Sequence, residues 1–302
     1  VTRALLIFNP EATTVTPRMR DVIAHALDDV VALDVAETKG PQHATELARD
    51  AAADGVDIVF CLGGDGTLNE ALNGVAGTRV SIAMLPAGGT NVFARTIGIP
   101  VDPIDATAEY IDRLRDGSTP RRISLGVVNG RRFAFCAGVG FDAEVVRAVH
   151  ARFRAKQRWG EPFFVVTAVR SFFTQTDRRS PALTVTTGDA VHERVFVAVV
   201  GKSDPYTFLG KRPFRLTPQA TASGGLDLTL LHSMRTDKVL RLVAGAFRGG
   251  RHVDMRSVTS LHDVDGFEIE ASRPVALQAD GEYLGEGSTF RFGVEPDALA
   301  VL

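Results

Sequence analysis

The stretch 57–70 constrains the fold more than any other part of the chain. Ile58-Val59-Phe60-Cys61-Leu62 runs without interruption into Gly63-Gly64-Asp65-Gly66-Thr67-Leu68-Asn69-Glu70. A short apolar run rich in β-branched and aromatic residues reads as a buried strand. The glycines then allow a turn that side chains would obstruct, and Thr67 is suited to starting a helix. A strand, a glycine turn and a helix in that order belong to a mostly parallel sheet covered by helices.

The flanking sequence repeats the pattern. Residues 4–8 form an apolar strand ending at Asn9-Pro10, residues 17–31 carry apolar positions at helical spacing, 33–36 suit a strand and 42–53 a helix. Residues 81–85 make another strand, which ends in Pro86-Ala87-Gly88-Gly89-Thr90-Asn91. In such sheets ligands bind beyond the carboxyl ends of the strands. Both glycine turns are expected at that edge, with Asn9 and Pro10 beside them.

After about residue 120 the texture changes. Residues 123–128 and 132–137 flank Asn129-Gly130, a strong hairpin signal. Short strands are expected at 183–187, 194–200, 226–231, 267–271, 275–279 and 289–294, with helices at 143–156, 162–173 and 236–247. The chain therefore reads as an α/β domain over 1–121 followed by an antiparallel β-sandwich domain with helices over 122–294. Residues 295–302 are expected to return to the first domain.

The bulk composition narrows the function. The 302 residues carry a net charge of −2, which gives no reason to expect nucleic acid. Cys61 and Cys136 each sit in an apolar run and read as buried reduced thiols. The seven histidines are scattered without zinc-site spacing, and no Gly-x-Ser-x-Gly nucleophile turn occurs. The first residues lack the pattern of a targeting segment and no run is long enough to span a bilayer, so a cytoplasmic location is expected. A homodimer is left open.

The two glycine turns carry the chemistry. Backbone N–H groups exposed by glycine, at a helix start, make an anion site. The motif is neither GxxxxGK[ST] nor GxGxxG. The competing reading of Gly63 to Thr67 is a tight Asp-Gly turn with a Thr-initiated helix. For Asp280-Gly281 it is a hairpin turn with no catalytic role.

The set Phe8-Asn9-Pro10, Gly63 to Glu70, Pro86 to Arg95, Gly224-Gly225-Leu226 and Asp280-Gly281-Glu282 resembles the diacylglycerol kinase catalytic-domain family over nearly the whole chain. That family includes soluble bacterial diacylglycerol kinases, sphingosine kinases and ceramide kinases. The resemblance implies ATP bound in a cleft between two domains and a lipid acceptor, diacylglycerol first. It places ATP on Asn9, Pro10, Thr38, Gly63, Gly64, Asp65, Gly66, Thr67, Asn69, Glu70, Gly88, Gly89, Thr90, Asn91 and Glu282. It implies catalytic Mg2+ near Asp65 and Glu282, partly through water or phosphate, with Asp65 catalytic and Asp280 the proton acceptor. NAD kinases share a GGDGT turn and stand as the alternative enzyme, phosphofructokinases less so. A non-catalytic lipid- or nucleotide-binding module is the alternative outside catalysis.

The sequence departs from that family at three points. The first loop reads Pro10-Glu11-Ala12-Thr13-Thr14 where the family has a glycine, and Asn91 is followed by Val92 instead of Asp. Several members hold a structural Mg2+ through Asp-Gly-Leu. Here Gly224 replaces the Asp, and strand alternation points the adjacent Asp227 to the other face. The basic and aromatic residues around Arg154, Trp159 and Phe163 suggest a membrane contact, competing with an ordinary solvated basic helix. The expected location is thus cytoplasmic with peripheral membrane association.

Overall fold

A computed structural model describes residues 1–12, 14–150, 161–174 and 177–302. The chain forms two compact units, residues 1–125 with 296–302, and residues 126–295.

The first unit is built on four parallel strands, β1 (Arg3–Phe8), β2 (Ala32–Glu37), β3 (Ile58–Gly63) and β4 (Ser81–Pro86). Their spatial order is β2-β1-β3-β4, and the end of the chain adds Ala300 and Val301 beside β4. β3 and β4 are buried at every position, which is why they read as continuous apolar runs. Helix α1 (Pro17–Asp28) is capped by Thr16 and buries Ile23 and Leu27. α2 (His43–Ala53) crosses α3 (Asp65–Val75) closely: a Cβ on Gly74 would lie 2.5 Å from the Thr45 carbonyl oxygen. Two helices went unread in the sequence, α4 (Val92–Ile97) and α5 (Pro103–Arg115). α5 starts at an Asp102 cap and is held by fully buried Tyr110, whose hydroxyl accepts the Met84 N–H at 3.1 Å.

Chain order and spatial order disagree at one point. The chain passes from β1 to β2 on one side, then returns to β3 on the other side of β1. That reversal between β1 and β3 is where an open α/β sheet has room for a ligand beyond its carboxyl edge. Asn9 follows β1 and Gly64 follows β3, so the motif residues stand on both sides of it.

The second unit is mainly antiparallel. β10 (Val197–Gly201) lies between β7 (Cys136–Gly140) and β13 (Leu226–Leu231), with β14 (Val258–Val264) beyond β13. The long strand β15 (Gly266–Ala279) pairs with β8 (Leu183–Thr187) through its first half and with β7 through its last residues. Its register shifts between Glu270 and Val275, which lets one strand serve both partners. β16 (Glu282–Val301) pairs back along β15, and β9 (Ala190–Val195) continues β8. Between the faces lie Val139, Ala198, Leu228, Leu230, Ile269 and Phe290, all within 2% of complete burial. A separate two-stranded hairpin of β11 (Thr207–Leu209) and β12 (Arg212–Phe214), with helices α6 (Phe141–His150), α7 (Glu161–Thr174) and α8 (Thr236–Ala246), completes the unit.

One expected hairpin is cut short. Asn129 and Gly130 take φ of 47° and 85°, as a two-residue hairpin turn requires. Its strands, β5 (Arg121–Val128) and β6 (Arg131–Phe133), stop before Ala134, and residues 136–140 join β10 and β15 instead. The cause is a competing acceptor: the N–H groups of Ala134, Phe135 and Cys136 are taken by the Asp280 carboxylate. The strand expected at 194–200 likewise divides into β9 and β10.

Candidate functional site

In the first unit three loops meet at the carboxyl edge and are tied by hydrogen bonds. The Asn9 side chain donates to Thr67 Oγ1 at 3.3 Å, and its Oδ1 accepts the Glu11 N–H at 2.9 Å. Thr14 donates to the Ala87 carbonyl through both its N–H (3.3 Å) and its hydroxyl (3.2 Å). The Thr14 bonds anchor the first loop, where the resembling family has a glycine. Thr38 follows β2 and donates its N–H to the Phe8 carbonyl at 2.9 Å.

Asp65 joins the two glycine turns. Its carboxylate accepts the Val92 N–H at 3.0 Å and the Phe93 N–H at 3.2 Å, capping the first turn of α4. Asn91, at φ 50°, closes the second turn on itself. Its side chain accepts from the Gly88 N–H and donates to the Gly88 carbonyl, each at 2.9 Å. Glu70 points elsewhere, accepting the Ala44 N–H at 3.2 Å at the start of α2. Asn69 is 1% exposed and accepts from the Asn73 amide. Both are thus bonded to the protein's own helices.

The glycines fall into two groups. A Cβ on Gly63 would strike Thr67 at 2.7 Å, and one on Gly88 would lie 2.7 Å from Gly64 Cα. Gly63 is glycine to admit the Thr67 side chain, and Gly88 because its backbone touches that of Gly64. Gly66 and Gly89 differ: a Cβ at either meets nothing within 4 Å, and neither has a positive φ. Both are exposed. The fold makes no demand for glycine there, and Gly66 costs helix stability in the first turn of α3.

The second unit presents a carboxylate. Asp280 and Gly281 form a two-residue turn between β15 and β16, at φ 48° and 76°. The Asp280 side chain is 4% exposed. Oδ2 accepts the Ala134 N–H at 2.7 Å, and Oδ1 accepts those of Phe135 and Cys136 at 2.9 and 3.0 Å. Its own N–H donates to the Cys136 carbonyl at 2.7 Å. Glu282 pairs with Arg131 at 2.9 Å.

Behind this turn lies a polar cluster that sequence reasoning missed. Gln278 is fully buried, accepts the Gly281 N–H at 2.9 Å and donates to Asp142 at 2.7 Å. Asp142 also accepts from the Tyr206 hydroxyl at 2.5 Å. Burial raises the Asp142 carboxyl above its ordinary range and pushes the Tyr206 phenol well up. A Cβ on Gly138 would fall 1.9 Å from the Asp142 carboxylate, so Gly138 is glycine to admit it. No local motif announces the cluster, because its members come from β15, α6 and the loop after β10.

Cys61 and Cys136 are buried and in no disulfide, and burial pushes the Cys61 thiol up to about 12. Arg154 and Trp159 lie outside the described residues, as does the side chain of Phe163. On α7, Val166, Val169 and Phe173 are 64%, 53% and 55% exposed, spaced so that they share one helix face. Among the described residues no helix is long and apolar enough to cross a membrane.

Comparison with known proteins matches both units. Residues 3–121 match the diacylglycerol kinase catalytic domain, and residues 136–302 match the YegS C-terminal NAD kinase beta sandwich-like domain. A Pseudomonas aeruginosa protein named "Probable lipid kinase YegS-like" is 31% identical over 261 residues, covering 85% of this chain and 80% of that protein. The diacylglycerol kinase of Bacillus subtilis is 26% identical over 251 residues, covering 80% and 76%. A crystal structure from Bacillus anthracis, named "putative diacylglycerol kinase", superposes with a TM-score of 0.77 at 20% identity, covering 99% of this chain and 96% of the other, a likeness of fold. This chain belongs to the family of lipid kinases that join a diacylglycerol kinase catalytic domain to a YegS-type C-terminal β-sandwich domain.

Proposed function

We propose that this chain transfers the γ-phosphate of ATP to the hydroxyl of diacylglycerol at a membrane surface, giving phosphatidic acid. The observation that carries the reading is the pair Gly66 and Gly89. Neither packing nor φ requires glycine at these positions, and both stand open at the edge where an anion would be cradled by main-chain N–H groups. Asn9, Asp65 and Asn91 act by holding the three loops in place. Asp65 is then a positioning residue for the turns.

Phosphoryl transfer depends on positioning and charge neutralisation. In this reading the bond from phosphorus to ADP breaks as the lipid oxygen bonds to phosphorus. The hydroxyl proton passes to the Asp280 carboxylate, whose orientation is set by three main-chain N–H groups. Mg2+ accompanying the nucleotide would neutralise phosphate charge, taking most ligands from phosphate and water. In the first unit Asp65 would serve it as a carboxylate reached through water, since its oxygens already accept two N–H groups; in the second unit Glu282 is paired with Arg131. The exposed apolar face of α7, with Arg170 beside it, supports contact with a lipid surface.

The test is an ATP-consumption assay with Mg2+ against diacylglycerol, a sphingoid base, ceramide and NAD, the last because residues 136–302 match a domain whose β-sandwich resembles that of NAD kinases. Preferential turnover of diacylglycerol is expected. Turnover of another lipid alone would replace the acceptor, and turnover of NAD alone would overturn the proposal. Val166→Asp with Phe173→Asp is expected to weaken binding to anionic vesicles. Unaltered binding would remove α7 from the membrane contact.

A further inference from the structure

Lys202 lies just beyond β10 and is fully buried, at 0% exposure. Its Nζ donates to two successive main-chain carbonyls, Thr221 at 3.0 Å and Ala222 at 2.9 Å. Two successive carbonyl oxygens converging on one point are the kind of donor set that holds a hard cation when a carboxylate and water complete it. The family resemblance leads to the expectation of a structural Mg2+ held by an Asp-Gly-Leu segment at this place, where the chain has Gly224-Gly225-Leu226.

The residues present do not fit that ion. Gly224 supplies no oxygen from a side chain, and even a Cβ there would lie 2.7 Å from Thr221 Oγ1. Asp227 Oδ1 accepts from His262 Nδ1 at 2.8 Å and from the Asp263 N–H at 3.1 Å. Asp263 Oδ1 accepts the Gly225 N–H at 2.6 Å. Among the described residues no three His, Cys, Asp or Glu side chains are grouped to hold a metal.

A buried ammonium is costly unless something compensates it. Here the two carbonyls accept its protons, and Asp227 and Asp263 supply negative potential. Burial lowers its pKa to about 8, which leaves it a cation at neutral pH. We infer that the Lys202 ammonium is the built-in cation of the turn from Thr221 to Leu226 at neutral pH, standing where relatives would use a structural divalent ion. The second unit therefore needs no free metal to hold this turn. The inference is independent of which acceptor the enzyme phosphorylates.

The experiment uses the full chain without nucleotide. Thermal unfolding of the wild type is expected to give one melting temperature in excess EDTA and in millimolar MgCl2, and elemental analysis of the purified protein no stoichiometric divalent metal. Lys202→Met is expected to melt roughly 2–8 °C lower, because two carbonyls lose their donor. A fall in the wild-type melting temperature with EDTA, or one tightly held divalent ion per chain, would overturn the inference. So would a Lys202→Met protein that melts like the wild type. The wild-type comparison decides the matter even if the Met variant fails to fold.

Discussion

In the first unit, side chains hold main chain in place. Asp65, Asn91 and Asn9 spend their polar atoms on neighbouring loops, and the surface left at the sheet edge is backbone with open glycines. In the second unit the arrangement is reversed. Three main-chain N–H groups from residues 134–136 converge on one carboxylate, that of Asp280. A backbone surface suits a spread anion such as a polyphosphate, because many weak donors share the charge. A single fixed carboxylate suits a localised event such as taking one proton. The contrast teaches that substitutions in the two places should fail in different ways.

The largest expected effect is at the carboxylate. Asp280→Asn should lower kcat by roughly 10²–10⁴-fold with little change in ATP affinity. It should also lose about 1–3 kcal/mol of stability, because the Asn amide must turn an NH2 toward a main-chain N–H. Calorimetric ATP binding, kcat and a denaturation curve on one preparation separate these effects. Near-normal turnover would leave Asp280 as a hairpin anchor only.

The glycines should divide next. Gly66→Ala should cost about tenfold or more in nucleotide affinity while raising stability by roughly 0.5–1 kcal/mol, since alanine is the better helix residue. Gly88→Ala should lower the melting temperature, because its Cβ meets Gly64 Cα at 2.7 Å. If Gly66→Ala binds ATP as the wild type does, the open glycines are not a phosphate cradle.

A pH profile probes the second unit away from its carboxylate. Lys202 has a folded-state pKa of about 8 against 10.5 for an ordinary lysine, so between those values the unfolded chain binds the extra proton. Stability should therefore rise with pH across that window, by on the order of 2 kcal/mol, and Lys202→Met should lack the rise. Denaturant midpoints at a series of pH values test the sign. The smallest effect belongs to Glu70, which lies in the motif but bonds to α2. Glu70→Ala should cost about 1 kcal/mol of stability with ATP affinity unchanged; a large loss of affinity would return it to the nucleotide.

The parallel sheet of the first unit was legible because its determinants are local. Buried strands are apolar throughout, and each glycine turn is contiguous with the strand that positions it. The motif residues were legible as a set, although the chain alone did not tell that Asp65 and Glu70 would cap α4 and α2. The short helix α4 was hidden because that cap comes from Asp65, far back in the chain.

Local order along the chain thus determined the strand–turn–helix units, the two glycine turns and the Asp280-Gly281 hairpin, since each depends on neighbouring residues. Only the tertiary structure decided that Ala134 and Phe135 would leave the hairpin for Asp280, that Gly66 and Gly89 stand open while Gly88 is packed on Gly64, and that Lys202 would become an internal cation. Each of these turns on atoms distant in sequence brought within about 3–4 Å, where hydrogen bonding and steric contact operate.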